Sequence, residues 1–205
     1  MDVDPNNITN YDQTEHELQA TLIFWILVAG KNAASTRKSL LKLHDLLPSK
    51  RSLPCVRILR YSSEKGEPAL AGLMRSCGFG QFNQKARYLT ELSRQVCEED
   101  LDLFSCTLTD LMALPGVGPK TARAFLLHSR PKQRVAVLDT HVLKFLAEEG
   151  YSVPKTTPVG KRYDELEKVW LDICDERGWD LAEADLRIWM ERRVSPNETT
   201  ALVNI

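Results

Sequence analysis

The chain has 205 residues, 43% of them hydrophobic, and a formal net charge of -1. That is apolar material for one domain or two small lobes, and too little positive charge for a protein held on nucleic acid by bulk electrostatics. The cysteines at 55, 77, 97, 106 and 174 form no Cys-x-x-Cys pair and are odd in number, which points to reduced thiols in a cytoplasmic protein rather than a disulfide framework.

Residues 1 to about 14 are polar, with Asn and Asp clusters and no secretory leader pattern, and are expected to be loose. From about Glu15 to Ala29 the chain reads as a buried helix that ends at Gly30. Its apolar run from Leu22 to Ala29 is far short of the roughly 20 residues of a membrane helix, so no membrane partner is expected. Lys31-Asn32-Ala33-Ala34-Ser35 is a polar turn into a second helix, with Ser35 or Thr36 as its cap. Ser39 to Leu47 repeats apolar residues at helical spacing, and Pro48 with Pro54 marks a connection. Leu70 to Cys77 and Lys85 to Val96 read as further helices, joined through Gly78-Phe79-Gly80-Gln81-Phe82-Asn83-Gln84.

Leu101 to Ala113 leads into Leu114-Pro115-Gly116-Val117-Gly118-Pro119-Lys120-Thr121-Ala122. An apolar helix end, two glycines one residue apart and a proline that can open a second helix read as helix, hairpin, helix. Gly116 and Gly118, lacking Cβ atoms, are expected to take positive φ and to let phosphates lie against bare backbone N–H groups at a positive helix end. Lys120 falls in the first turn of the second helix, where the dipole disfavours an ammonium, and a neutral amine there is a nucleophile. Between Asp110 and Asp139 there is no acidic residue, while Lys120, Arg123, Arg130, Lys132 and Arg134 fall in that interval, either a solvated basic face or a phosphate-contacting one.

Asp139, in Val137-Leu138-Asp139-Thr140-His141, can face Lys120 from a different element, orient its amine and stabilise a developing cationic sugar. A helix from there to about Glu149, another from Lys161 to about Glu176, and a last one opened by Asp180 with Glu183 at capping-box spacing complete the chain. On the last helix Leu181, Ala184, Asp185, Ile188, Trp189 and Arg192 share one face, on which Asp185 reads as a paired core carboxylate. Apart from Val135-Ala136-Val137-Leu138 no period-2 alternation occurs, and the expected fold class is all-α.

These residues resemble the helix-hairpin-helix DNA glycosylase superfamily, in which an LPGVGxKTA-type hairpin supplies a lysine and a VDTH-type segment an aspartate; the FNQKARYL and DLxxWxxR-like stretches are most similar to the archaeal-type 8-oxoguanine enzymes. The resemblance implies two helical lobes, 35–134 carrying Lys120 and 1–34 with 135–205 carrying Asp139, flanking a cleft. It implies Lys120 as nucleophile on the sugar C1′, with Schiff-base formation and β-elimination, and Asp139 as catalytic acid. Gly116, Val117, Gly118, Lys120, Thr121 and His141 would contact DNA, and Asn32 would fill the gap left by an extruded base or be an ordinary turn residue. Phe79, Phe82, Asp185 and Trp189 would form the base pocket, the two phenylalanines being equally readable as core or hinge residues.

The carbonyls of Met112, Leu114 and Val117 match positions that hold a monovalent or calcium ion. No other cofactor is implied: endonuclease III-like members carry four closely spaced C-terminal cysteines on an iron–sulfur cluster, and only Cys174 lies beyond this hairpin. The implied partner is double-stranded DNA containing a modified base, bound by a monomer. The implied substrate is 8-oxoguanine. The alternatives are a bulky pyrimidine such as glucosylated hydroxymethylcytosine in phage DNA, suggested by Gln81 in place of an aromatic and by the polar tail Arg193 to Ile205, and a non-catalytic DNA-binding module.

Overall fold

Most helices of this chain begin where a side chain or a proline makes a beginning cheap, and the computed structural model, which describes residues 2–192, contains ten helices and no strand among those residues. The expected all-α class is met. The tail from Arg193 to Ile205 lies outside the described residues.

α1 (Glu15–Val28) is opened by a reciprocal capping box between Thr14 and Glu17, and ten of its fourteen residues are buried. α2 (Ala33–Leu46) is capped by Asn32, whose Oδ1 accepts the Ser35 N–H at 3.0 Å, so Ser35 and Thr36 lie inside the first turn rather than capping it. α3 (Pro54–Lys65) occupies part of the expected connection. Pro54 lies at its first position, where a missing N–H costs nothing, and the next donor, Cys55 N–H, reaches Gln19 Oε1 at 2.9 Å. α4 (Glu67–Ser76) and α5 (Phe82–Glu98) follow, and the buried Lys85 ammonium of α5 donates to the Leu27 carbonyl at the end of α1 at 2.7 Å. The remaining helices are α6 (Leu108–Ala113), α7 (Pro119–Ser129), α8 (Thr140–Glu148), α9 (Lys161–Arg177) and α10 (Leu181–Glu191). None is long and apolar enough to cross a membrane. Val135 to Leu138 is extended but pairs with no strand among the described residues.

The apolar residues separate into two main cores. One runs from Val3 to Leu126 and the other from Ala136 to Ile188. Between them Ala124, Leu127, Val137 and Ala182 form a small cluster against Trp25 and Leu181, so α1, α7 and α10 meet at the seam. The N-terminal segment is not loose: Val3 and Ile8 are buried in the first core.

Candidate active site

Gly116 and Gly118 do different jobs in the hairpin between α6 and α7. Gly116 has φ +85, and a Cβ there would stand 2.3 Å from the Tyr88 ring, so two constraints demand glycine. Gly118, expected to share that conformation, is instead extended at φ -90 and serves as the N-cap of α7 without a side-chain cap bond. With no N–H on Pro119, the first-turn donors of α7 are the backbone amides of Lys120 and Thr121. The Lys120 ammonium lies 5.4 Å from the centroid of the Trp25 ring, within cation–π range. Trp25 in turn stacks on the fully buried His128 at 5.8 Å and 20°.

Asp139 is the N-cap of α8, its Oδ1 accepting the N–H groups of His141 at 2.8 Å and Val142 at 2.9 Å. The chain before it is held by distant side chains. Tyr163 Oη donates to the Ala136 carbonyl at 2.7 Å and accepts the Leu138 N–H at 3.2 Å. Glu167 Oε1 accepts the Ala136 N–H at 2.7 Å while its carboxylate takes both arms of Arg123, at 2.8 and 2.9 Å. Arg123 lies one turn beyond Lys120 on α7, so one buried ion pair ties the lysine's helix to the aspartate's strand of chain. Burial and the Asp185 charge push the Asp139 carboxyl above its ordinary value; the Val142 N–H, Lys120 and His141 pull the other way.

Lys120 and Asp139 line one cavity of about 660 Å³. Asn32, Gly116, Gly118, Thr121, His141, Asp185 and Trp189 line it as well, whereas Met112, Leu114 and Val117 do not. The Leu114 carbonyl accepts the Val117 N–H at 3.1 Å, and Met112 is exposed. Phe79 and Phe82 also stand apart. Phe79 is buried in the first core with the Lys85 ammonium 5.8 Å from its ring, and Phe82, the first residue of α5, packs beside Arg75. Gln81 is exposed at the N-cap of α5 with φ 54 and likewise does not reach the cavity. The aromatic walls are instead Phe24, Trp25 and Trp189. Trp25 went unremarked in the sequence because it lies inside an apolar run; its signal is that a half-exposed aromatic interrupts an otherwise buried helix.

Asp185 is both paired in the interior and part of the cavity wall. Its Oδ2 lies 3.0 Å from His128 Nε2 in the interior, and the residue lines the cavity. The basic interval is spent differently from a phosphate-contacting face. Arg123 pairs with Glu167, Arg130 donates to the carbonyls of Leu103 and Cys106, and Arg134 pairs with Asp175. Among the described residues no three His, Cys, Asp or Glu side chains converge as a metal site would require, and the five cysteines are dispersed.

A lysine and a capping aspartate at the N-termini of two helices, facing one cavity at the seam of a two-core helical protein, define a class in which backbone donors and an amine meet the same ligand. Residues 101–128 match the helix-hairpin-helix motif. An 8-oxoguanine DNA glycosylase/AP lyase from Methanocaldococcus jannaschii is 37% identical over 81 residues, 38% of each chain. An endonuclease III from Thermotoga maritima is 34% identical over 100 residues, 49% of this chain and 44% of that one. The matches therefore span less than half the length of these curated relatives. The crystal structure of the M. jannaschii 8-oxoguanine DNA glycosylase superposes with a TM-score of 0.68 at 21% identity, covering 91% of this chain and 83% of that one. The resemblance to the helix-hairpin-helix DNA glycosylase superfamily thus holds at the level of motif, local sequence and fold.

Proposed function

We propose that the chain is a DNA glycosylase with AP lyase activity that acts as a monomer on duplex DNA containing a modified base. The observation that carries this reading is the convergence of Lys120 and Asp139, from two helices in different cores, on one cavity where the Lys120 charge bears on the Asp139 carboxyl. In this reading residues 35–134 carry the amine, and residues 1–34 with 135–205 carry the carboxylate. An extruded nucleotide enters between them, with Asn32 in the gap it leaves, Trp25 and Trp189 beside its base and Asp185 at its edge. The amides of Gly116, Gly118, Lys120 and Thr121, together with His141, hold the backbone phosphates, while the Val117 N–H closes the turn on the Leu114 carbonyl.

Lys120 attacks C1′ as a neutral amine, the C1′–N bond breaks and its electron pair leaves with the base. A carboxyl held above its ordinary value suits Asp139 to take a proton from the amine and pass it to the departing base. The Lys120 nitrogen lone pair then breaks the C1′–O4′ bond, O4′ takes a proton as the sugar ring opens, and loss of the C2′ proton from the resulting imine expels the 3′ phosphate with its electron pair by β-elimination. No cofactor takes part; the Met112, Leu114 and Val117 carbonyls are hard oxygen donors of the kind that would hold a calcium or monovalent ion against a phosphate.

The leading substrate is 8-oxoguanine, on the strength of the named relatives. A second reading, glucosylated hydroxymethylcytosine and a role against phage, is favoured by a cavity as large as a drug-sized ligand requires, with Lys31, Asn32 and Thr157 on its wall. Borohydride trapping tests the class: wild type is expected to cross-link to an abasic duplex and Lys120→Ala to fail completely. Trapping by that variant would place the nucleophile elsewhere, and none by wild type would leave a DNA-binding module only. Release from duplexes carrying each base decides the substrate.

A further inference from the structure

We infer that residues 2–10 form a fixed wall of the base pocket and that Ile8 sets the size of the base admitted, an inference that rests on the glycosylase reading above. The segment has no helix of its own, yet it is pinned at both ends. Asp2 takes both arms of Arg37 on α2 at 2.8 and 3.0 Å. At the other end Thr9 Oγ1 lies 2.7 Å from His128 Nδ1 and the Asn10 N–H donates to the His128 carbonyl at 2.9 Å. Between the anchors a turn, closed by the Asn7 N–H on the Asp4 carbonyl at 3.1 Å, brings Pro5 and Ile8 onto the cavity that holds Lys120 and Asp139.

The rest of that wall is largely helical and carries the reactive groups. Pro5 and Ile8 present only apolar side chains, so they act on a bound base through shape alone. Ile8 cannot retreat, because its buried side chain also packs in the first core. The far anchor adds register: the imidazole that binds Thr9 through Nδ1 binds Asp185 through Nε2, so wall and pocket carboxylate share one support.

The test uses the full chain and duplexes carrying uracil, 8-oxoguanine or glucosylated hydroxymethylcytosine, with base release normalised to borohydride trapping on an abasic duplex. That normalisation corrects for folded, reactive protein. Ile8→Trp is expected to lower release of the largest base that wild type accepts about tenfold relative to smaller ones, and Ile8→Ala to shift the profile toward larger bases by a similar factor. An unchanged profile in both variants, or an equal fall for all bases, would overturn the inference while leaving the chemistry standing. Trapping by wild type without release of any base would overturn it too. Absence of trapping by wild type would remove the glycosylase reading itself.

Discussion

The two sides of the cavity present their reactive groups by opposite means. Lys120 is delivered by local backbone: a glycine at positive φ, an extended glycine, and a proline that starts the helix, all within five residues of it. Asp139 is capped locally on α8, but the chain leading to it is set by Tyr163 and Glu167, more than twenty residues away in sequence, and through Glu167 by Arg123. A site of this kind joins one part that folds as a motif to another set by long-range contacts within the second core, with the Arg123–Glu167 pair as the tie between them.

The sharpest way to break that comparison is at Asp139 itself. An asparagine caps a helix as well as an aspartate does, so Asp139→Asn keeps both bonds to α8 while removing the carboxylate. Base release is expected to fall about 10³-fold, the span of general acid–base catalysis, with trapping on an abasic duplex falling less. Single-turnover release within tenfold of wild type would strip Asp139 of its assigned chemistry and leave it a capping residue.

Next in size is the tie between the two sides. Glu167→Ala leaves Arg123 with no carboxylate nearer than Asp164 at 3.6 Å and the Ala136 N–H without its acceptor. A buried charge deprived of its partner costs about 3 kcal/mol, or roughly 6–12 °C in melting temperature for a chain of this length. Glu167→Gln keeps an acceptor for Ala136, so it separates the two roles: it is expected to lose stability but to retain more base-release activity than the alanine variant. Equal activities measured in the two would mean that the Ala136 bond does not place Asp139.

These contrasts explain how much was legible. The helix-hairpin-helix with Lys120 in its second helix, and the helix that follows Asp139, are readable because each is encoded within a few adjacent residues; the Asp139 cap and the extended Gly118 are not. α3 is not either, because Pro54 reads equally as a break or as a first helical position, and only the Gln19 side chain from α1 makes the second choice complete. The N-terminal segment reads as loose because two apolar residues, Val3 and Ile8, are too few to show a period; their burial depends on a core built elsewhere. The arginines after Lys120 read as positive surface, yet Arg123 and Arg130 spend their donors on Glu167 and on carbonyls of the loop before α6. Charge is visible in a sequence; the partner that consumes it is not.

The local side of the comparison has its own test, with a smaller effect. In Gly116→Ala the new Cβ meets the Tyr88 ring and the backbone is held at φ +85, together costing about 1–3 kcal/mol. Affinity for an abasic duplex is expected to fall about tenfold by the same strain at the phosphate-facing turn. Adding Tyr88→Ala removes the collision and leaves the backbone strain, so the double variant should recover part of the loss. Full recovery would show that φ contributes nothing there, and no recovery that Tyr88 is irrelevant to the turn.

The smallest expected effect is a displacement along the pH axis. Asp139 is held above its ordinary value by burial and then by the Asp185 charge, against Val142, Lys120 and His141. Removing the Asp185 charge in Asp185→Asn therefore favours the ionised form of Asp139, and the acid limb of the base-release profile should move to lower pH even if the pocket binds the base less well. The same shift has a consequence for stability. A carboxyl that holds its proton more tightly folded than unfolded costs stability when ionised, and the cost disappears as pH falls through the folded value toward 3.8. Asp139→Asn should accordingly melt above wild type at pH 7 and converge with it in acid. A variant that melts lower at pH 7 and draws level only in acid would mean that the Lys120 charge outweighs burial and Asp185, placing the amine closer to Asp139 in energy than those two opposing influences combined.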